Sequence, residues 1–188
     1  IEIGRLQSFA TGKAISTNKQ LYRLPASNGK KVAIIGAGPA GISCACELKM
    51  LGFDVDVFES KEKPSGLTVH GVAPYKITNK EALDEMDYLE KQFQYKVHYK
   101  RAISSKADID GLEKKYDAIV IGFGLGKTSM INIPGEDKEN CFGAVEFVEK
   151  LRMSHHKTAV AKNVIVLGGG NTAMDAASES ARMGAEKV

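Results

Sequence analysis

The sequence predicts an α/β protein of Rossmann-like architecture, and three observations carry that prediction. Two glycine fingerprints of one kind lie 132 residues apart, Gly36-Ala37-Gly38-Pro39-Ala40-Gly41 and Gly168-Gly169-Gly170-Asn171-Thr172-Ala173. Each follows a short run that is apolar throughout, Val32-Ala33-Ile34-Ile35 and Val164-Ile165-Val166-Leu167, as expected of a strand buried on both faces. Each is followed by a segment with helical spacing. One such motif suggests one dinucleotide; two suggest that electrons pass between two.

The elements follow in order. Residues 1–12 read as a short helix with Ile3, Leu6 and Phe9 or Ala10 on one side. Residues 13–30 are polar, contain Pro25, Asn28 and Gly29, and read as a linker or wrapping segment. The first strand is followed by a helix from about Pro39 to Leu51, with Cys44, Leu48 and Leu51 on one face and Gly52 as the stop. Residues 53–58 alternate into a second strand ending at Glu59. Residues 61–77, with Pro64, Gly66, Gly71 and Pro74, look irregular. Thr78-x-x-Glu81 suggests a capping box for a helix to about Phe93, with Leu83, Met86, Leu89 and Phe93 inward. Short strands are expected near 97–99 and 117–121, and a helix at 144–153. Residues 154–162 are a polar connection, and the second fingerprint's strand and helix close the chain, with Gly184 as C-cap. Residues 186–188 look like the entry to a further strand.

Bulk properties exclude several classes. The 188 residues are 43% hydrophobic and 26% charged, which is ordinary for a globular protein with a proper core. A net charge of +3, without a dense basic block, argues against nucleic acid and acidic membranes as partners. The apolar runs are strand-sized, so no membrane span is expected. No basic, apolar leader opens the chain, and Ile1 is not Met, so upstream sequence is expected. Cys44, Cys46 and Cys141 form no C-x-x-C; they read as small buried hydrophobes in a reducing, cytoplasmic compartment.

The chemistry of the first fingerprint is steric. Gly36 permits a tight turn off the strand, Gly38 lets backbone approach a pyrophosphate, and Gly41 lets helix and strand pack closely. The helix N-terminus offers unpaired N–H groups to phosphates, and Pro39 suits its first turn. Glu59, 18 residues after Gly41, is placed to accept the ribose hydroxyls; the plainer alternative is an exposed strand-end charge. An acid there favours FAD or NAD over NADP at this first site. In the second fingerprint Ala173 takes the close-packing place. Asn171 and Thr172 are expected to cap the helix, to bind phosphates, or both. NADH versus NADPH stays open there.

Gly122-Phe123-Gly124-Leu125-Gly126-Lys127-Thr128 resembles a phosphate-binding P-loop but has Ile121 where that motif needs glycine. A glycine-rich turn near the first site's cofactor is the better reading. The four histidines carry no ligand spacing and read as surface residues, with His70 alone near the presumed flavin loop.

Taken together, these stretches resemble the FAD/NAD(P)H oxidoreductase module of the glutamate synthase small subunit and of the N-terminal half of dihydropyrimidine dehydrogenase, including its bacterial NAD-linked subunit. The resemblance rests on Ile3-Gly4-Arg5-Leu6-Gln7, the two fingerprints, Pro64-Ser65-Gly66-Leu67, Gly71-Val72-Ala73-Pro74-Tyr75-Lys76-Ile77, Tyr116 to Gly122, Ile133-Pro134-Gly135-Glu136-Asp137, and the continuation Met174-Asp175. It implies FAD contacts at Gly38, Pro39, Ala40, Gly41, Glu59, Gly66, Leu67 and Lys76, and nicotinamide-dinucleotide contacts at Gly169, Gly170, Asn171 and Thr172. Ser65 stands where the family usually has glycine, and Lys76 where it has arginine, which loses a planar fork. The implied domains are an N-terminal helix and linker at 1–30, an FAD domain at 31–140 and the start of an NAD(P) domain at 141–188. The chain is then expected to be a piece of a longer two-domain flavoprotein. Its iron–sulfur clusters would lie upstream or in a partner, a catalytic subunit of the glutamate synthase or dihydropyrimidine dehydrogenase type. Electrons would pass from NADH or NADPH through FAD to that partner, with no catalytic side chain required. The rivals are a non-catalytic FAD- or ADP-binding module and a flavin disulfide reductase, which needs a C-x-x-C these residues lack.

Overall fold

A computed structural model describes residues 1–154 and 157–188; His155 and His156, expected at the surface, lie outside the described residues. The elements are α1 (Ile3–Ser16), β1 (Lys31–Ile35), α2 (Pro39–Met50), β2 (Asp54–Phe58), α3 (Leu67–His70), α4 (Asn79–Phe93), β3 (Lys96–His98), α5 (Lys106–Glu113), β4 (Ala118–Ile121), α6 (Ala144–Met153) and α7 (Asn171–Arg182). Contacts group them into two units, Ile1–Ser65 with Lys80–Gly124, and Gly66–Asn79 with Leu125–Val188.

The first unit is a four-stranded, all-parallel sheet in the order β3-β2-β1-β4. The period-2 geometry of β1 and β2 sends Val32, Ile34, Val55 and Val57 to one face, where they meet Ile42, Ala45 and Cys46 of α2 and Met86 and Phe93 of α4. Ala33, Ile35 and Phe58 point the other way, onto Leu112 of α5 and half-buried Tyr116. That double burial is why β1 reads as an unbroken apolar run. The segment after α1 wraps α4, as anticipated. Leu21 N–H donates to the buried Gln92 side chain (2.9 Å), Tyr88 donates to the Lys19 carbonyl (2.7 Å), and Tyr22 packs on Phe93 with ring centroids 4.5 Å apart.

Several expectations need correction. Helix α1 runs four residues past its expected end, and none of its residues is buried. Helix α5 had no counterpart in the sequence reading, although Ser105 and Asp108 close a full capping box at its start. Leu51 is exposed, whereas Cys44 and Leu48, expected on the same face, pack partly buried against the core. Cys46 is buried, but Cys44 is only partly so and Cys141 is exposed; all three are free thiols. Two histidines are not surface residues: His70 is 4% exposed, with Nδ1 3.2 Å from Glu149, and His98 is half-buried, with Nε2 2.6 Å from Asp56.

In the second unit α6 packs on α3 and on α7, around buried Val148, Leu151 and Ala176. The expected strand at residues 164–167 is not one. Among the described residues it makes only the flanking parallel bridge Asn163↔Lys187, and Ile165 and Leu167 are exposed. A strand is defined by a ladder, and among the described residues no second strand lies beside this run to complete one. The bridge at Lys187 fits the reading of residues 186–188 as the entry to a further strand.

Candidate functional site

The first fingerprint is a turn that backbone approaches closely at Gly36 and Gly41. Gly36 leaves β1 at φ +104° and donates its N–H to the Phe58 carbonyl (2.8 Å). A Cβ on Gly36 would meet the Gly122 carbonyl oxygen at 2.6 Å, and one on Gly41 would meet the Gly36 carbonyl oxygen at 1.9 Å. Neither neighbour is a flexible side chain, so neither could yield. A Cβ on Gly122 would meet the Gly41 Cα and nitrogen at 3.4 Å, so the turn after β4 lies against the fingerprint backbone, and it does not read as a P-loop. Helix α2 then opens with Gly38 as N-cap and Pro39 at its first position, and no side chain caps it. Its first-turn N–H groups are therefore left for another acceptor.

Glu59 is not an exposed strand-end charge. It is 8% exposed, and its Oε2 accepts the Ala37 N–H (2.8 Å) from the middle of the fingerprint. Oε1 accepts the Lys61 N–H at 2.8 Å and the Ser60 hydroxyl at 3.1 Å. The carboxylate thus fixes the shape of the turn. A carboxylate has about four lone-pair sites, so it keeps capacity for a ribose hydroxyl. Ser65 donates its N–H to the Ala37 carbonyl (2.7 Å) and is buried at φ +76°, a conformation that glycine takes without strain.

In the second unit the short helix α3 starts after Gly66, with Leu67 58% exposed. The loop that follows is held at both ends by the guanidinium of Arg152, itself 2% exposed. Arg152 donates to the carbonyls of Val72 and Ile77 (2.9 Å to the latter) and to the Asn79 side chain (2.7 Å). Burial pulls the Arg152 guanidinium below its usual range. Nothing in the sequence marked Arg152, since its partners are carbonyls more than 70 residues away. At the middle of the loop, Lys76 Nζ donates to Asp175 Oδ2 (2.7 Å), and the Tyr75 hydroxyl donates to Oδ1. The expected flavin-facing cation is thus already paired, with an acid of the second fingerprint helix.

The second fingerprint turn repeats the first with fewer close neighbours. Gly168 has φ +117°, and a Cβ there would meet the Ala173 methyl at 3.6 Å, an ordinary van der Waals contact. Beside Gly169 and Gly170 a Cβ would meet nothing within 4 Å. Gly170 is the N-cap of α7 and no side chain caps it, so the expected capping by Asn171 or Thr172 does not occur. Both lie exposed in the first turn of α7 because glycine already occupies the capping position. Further along the loop after β4, Thr128 donates its N–H (2.9 Å) and hydroxyl (2.6 Å) to Glu146, which occupies the hydroxyl a P-loop would offer to a metal.

With two such turns in place, comparison with known proteins gives their context. A family model described as pyridine nucleotide-disulphide oxidoreductase matches residues 30–188. The chain belongs to this family. Among its relatives is the NADP(+)-dependent formate dehydrogenase subunit beta of Moorella thermoacetica, 34% identical over 86% of the chain and 23% of the relative. The NAD-dependent dihydropyrimidine dehydrogenase subunit PreT of Escherichia coli (strain K12) is 28% identical over the whole chain and 45% of the relative. Glutamate synthase [NADH] of Schizosaccharomyces pombe is 31% identical over 85% of the chain and 8% of the relative. The anticipated resemblance therefore holds on both its branches. Mycobacterium tuberculosis FprA in complex with NADPH superposes with a TM-score of 0.65 at 26% identity, over 79% of the chain and 35% of FprA. The chain spans less than half the length of each of these relatives. Within these residues the three cysteines are free and none forms a C-x-x-C.

Proposed function

We propose that this chain is the dinucleotide-binding part of an oxidoreductase that takes electrons from NADH or NADPH through FAD to an iron–sulfur-linked partner. The observation that carries the reading is the pair of glycine-capped helices, α2 and α7, each opening from a fingerprint turn with no side chain on its first N–H groups. FAD is assigned to Gly36, Gly38, Pro39, Ala40, Gly41 and Glu59, with Gly66, Leu67 and Lys76 added by the family resemblance. The nicotinamide dinucleotide is assigned to Gly168, Gly169, Gly170, Asn171, Thr172 and Ala173. The domain division at 140/141 follows these assignments. Bound FAD supplies hydride acceptance and the one-electron steps that iron–sulfur clusters require.

The chain's own residues bind and align. The Glu59 carboxylate holds the Ala37 amide so that the turn presents backbone to a pyrophosphate. The α2 and α7 N-termini contribute N–H groups and a partial positive charge. The partner is a catalytic subunit of the glutamate synthase or dihydropyrimidine dehydrogenase type, in the cytoplasm. Among the described residues no helix is long and apolar enough to cross a membrane.

An anaerobic absorbance spectrum of the full-length parent protein tests the reading. Flavin bands that bleach on addition of NADH or NADPH are expected, and the effective donor settles the second site. A protein without flavin bands after reconstitution with FAD overturns the reading in favour of a nucleotide-binding module.

A further inference from the structure

Residues 71–77 form a loop tied by side chains to two helices. Its ends are fixed by Arg152 from α6, and its middle by α7. Asp175, 7% exposed, spends one carboxylate oxygen on the Tyr75 hydroxyl and the other on Lys76 Nζ at 2.7 Å. The grip extends down the same face of α7. The Arg182 guanidinium lies 4.7 Å from the Tyr75 ring centroid and 3.7 Å from the buried Glu179 carboxylate. Asp175 is the fifth residue of α7, one turn beyond Asn171. Its charge therefore lies within one turn of the N–H groups assigned to the second dinucleotide.

We propose that Asp175 is a positioning residue that latches the 71–77 loop to the second fingerprint helix, so that nicotinamide-dinucleotide binding at α7 and the placement of Lys76 and Tyr75 are energetically coupled. The inference rests on the assignment of α7 to the nicotinamide dinucleotide and of Lys76 to FAD. Its physical basis is charge balance. With Lys76 in place, the Asp175 carboxylate is neutralised; without it, a buried anion sits one turn from an incoming pyrophosphate, where like charges repel. The electrostatics of the cluster agree. Hydrogen bonding to Asp175 holds both the Tyr75 hydroxyl and the Lys76 ammonium above their usual ranges. Burial pushes the Asp175 carboxyl up, but the bonds from Lys76 and Tyr75 outweigh it and leave it below the usual range. A merely structural ion pair would stabilise the unit without touching ligand affinity.

The test compares the full-length protein with its Lys76→Met, Lys76→Arg and Asp175→Asn variants. The readouts are Kd for NADH and NADPH by titration, Kd for FAD by fluorescence quenching, and Tm. Lys76 is partly exposed, with 41% of its side-chain surface accessible, so its replacement leaves the core intact if Asp175→Asn does not fold. Lys76→Met is expected to weaken nicotinamide-dinucleotide binding at least about fivefold, the lower end of ordinary coupling between sites. Lys76→Arg is expected to restore most of it, and Asp175→Asn to weaken FAD binding. A Lys76→Met protein of lowered Tm but wild-type affinity for both NADH and NADPH overturns the latch. If the wild type holds no FAD, the flavin assignment fails, and the nicotinamide-dinucleotide affinity of Lys76→Met still decides the latch. If the wild type binds neither NADH nor NADPH, both the assignment of α7 and the latch fall.

Discussion

Gly41 and Ser65 illustrate opposite tolerances at the same turn. A methyl on Gly41 has a backbone carbonyl oxygen at 1.9 Å and cannot be accommodated without moving β1 or α2. Gly41→Ala is expected to destabilise the first unit by at least ~2 kcal/mol, in the overpacking range, and to abolish flavin retention. Ser65, at φ +76°, already carries the Cβ that this conformation disfavours. Ser65→Gly removes about 1 kcal/mol of strain, partly offset by the freer unfolded chain. Thermal unfolding of the two variants should move in opposite directions, with Gly41→Ala lower and Ser65→Gly equal to or above wild type. A strong loss in Ser65→Gly would mean that the serine side chain holds the turn. Cys46 adds a smaller residue-scale point, since burial pushes its thiol up to about 11 and suits it to packing rather than to redox work.

Among the elements, α6 has the least obvious task. Its apolar residues Val148 and Leu151 fill the second unit, yet the same helix spends a buried guanidinium on the carbonyls of a loop. Arg152→Ala leaves those carbonyls without a donor in a buried setting, which is expected to cost roughly 3 kcal/mol. The loop at 71–77 should then gain amide hydrogen exchange ahead of α6 itself. Uniform exchange across the unit would show instead that Arg152 acts only through packing. Helix α5 carries a local start signal in its sequence. Ser105-x-x-Asp108 is a capping signature, and both of its reciprocal bonds form. The run at residues 164–167 was readable but conditional. Its composition specifies a buried strand, but a strand forms only where a neighbour supplies the ladder, and among the described residues the bridge beside it is the isolated Asn163↔Lys187.

Across the whole molecule, acid should be the first stress to matter. Hydrogen bonds from Ser105 hold the Asp108 carboxyl low in the first unit. In the second unit burial raises Asp175 and Glu146, but bonds from Lys76 and Tyr75, and from Thr128, more than reverse it. A carboxyl lower in the folded state than the unfolded one contributes stability that is full above about pH 4 and lost as pH falls through its folded value. At the other end, Lys76 and Tyr75 are raised, so their contribution is full below about pH 10 and lost above it. Tm is therefore expected to be flat near neutrality and to fall toward pH 3, and Asp175→Asn should flatten the acid limb of the second unit. An acid limb unchanged in that variant would remove Asp175 from the account.

The sequence by itself determined the parallel α/β plan, the two glycine turns and the family. These depend on local sterics and on a period-2 apolar pattern, and both are written in neighbouring residues. Only the tertiary structure decided that Glu59 is buried against the Ala37 amide, that the Gly122 turn closes on Gly41, and that Asp175 holds Tyr75 and Lys76. It also decided that Arg152 pins the loop between them. Those pairings join residues from 22 to 100 positions apart. Their partners are chosen by the packing of helices and strands, and no spacing rule along the chain encodes that choice.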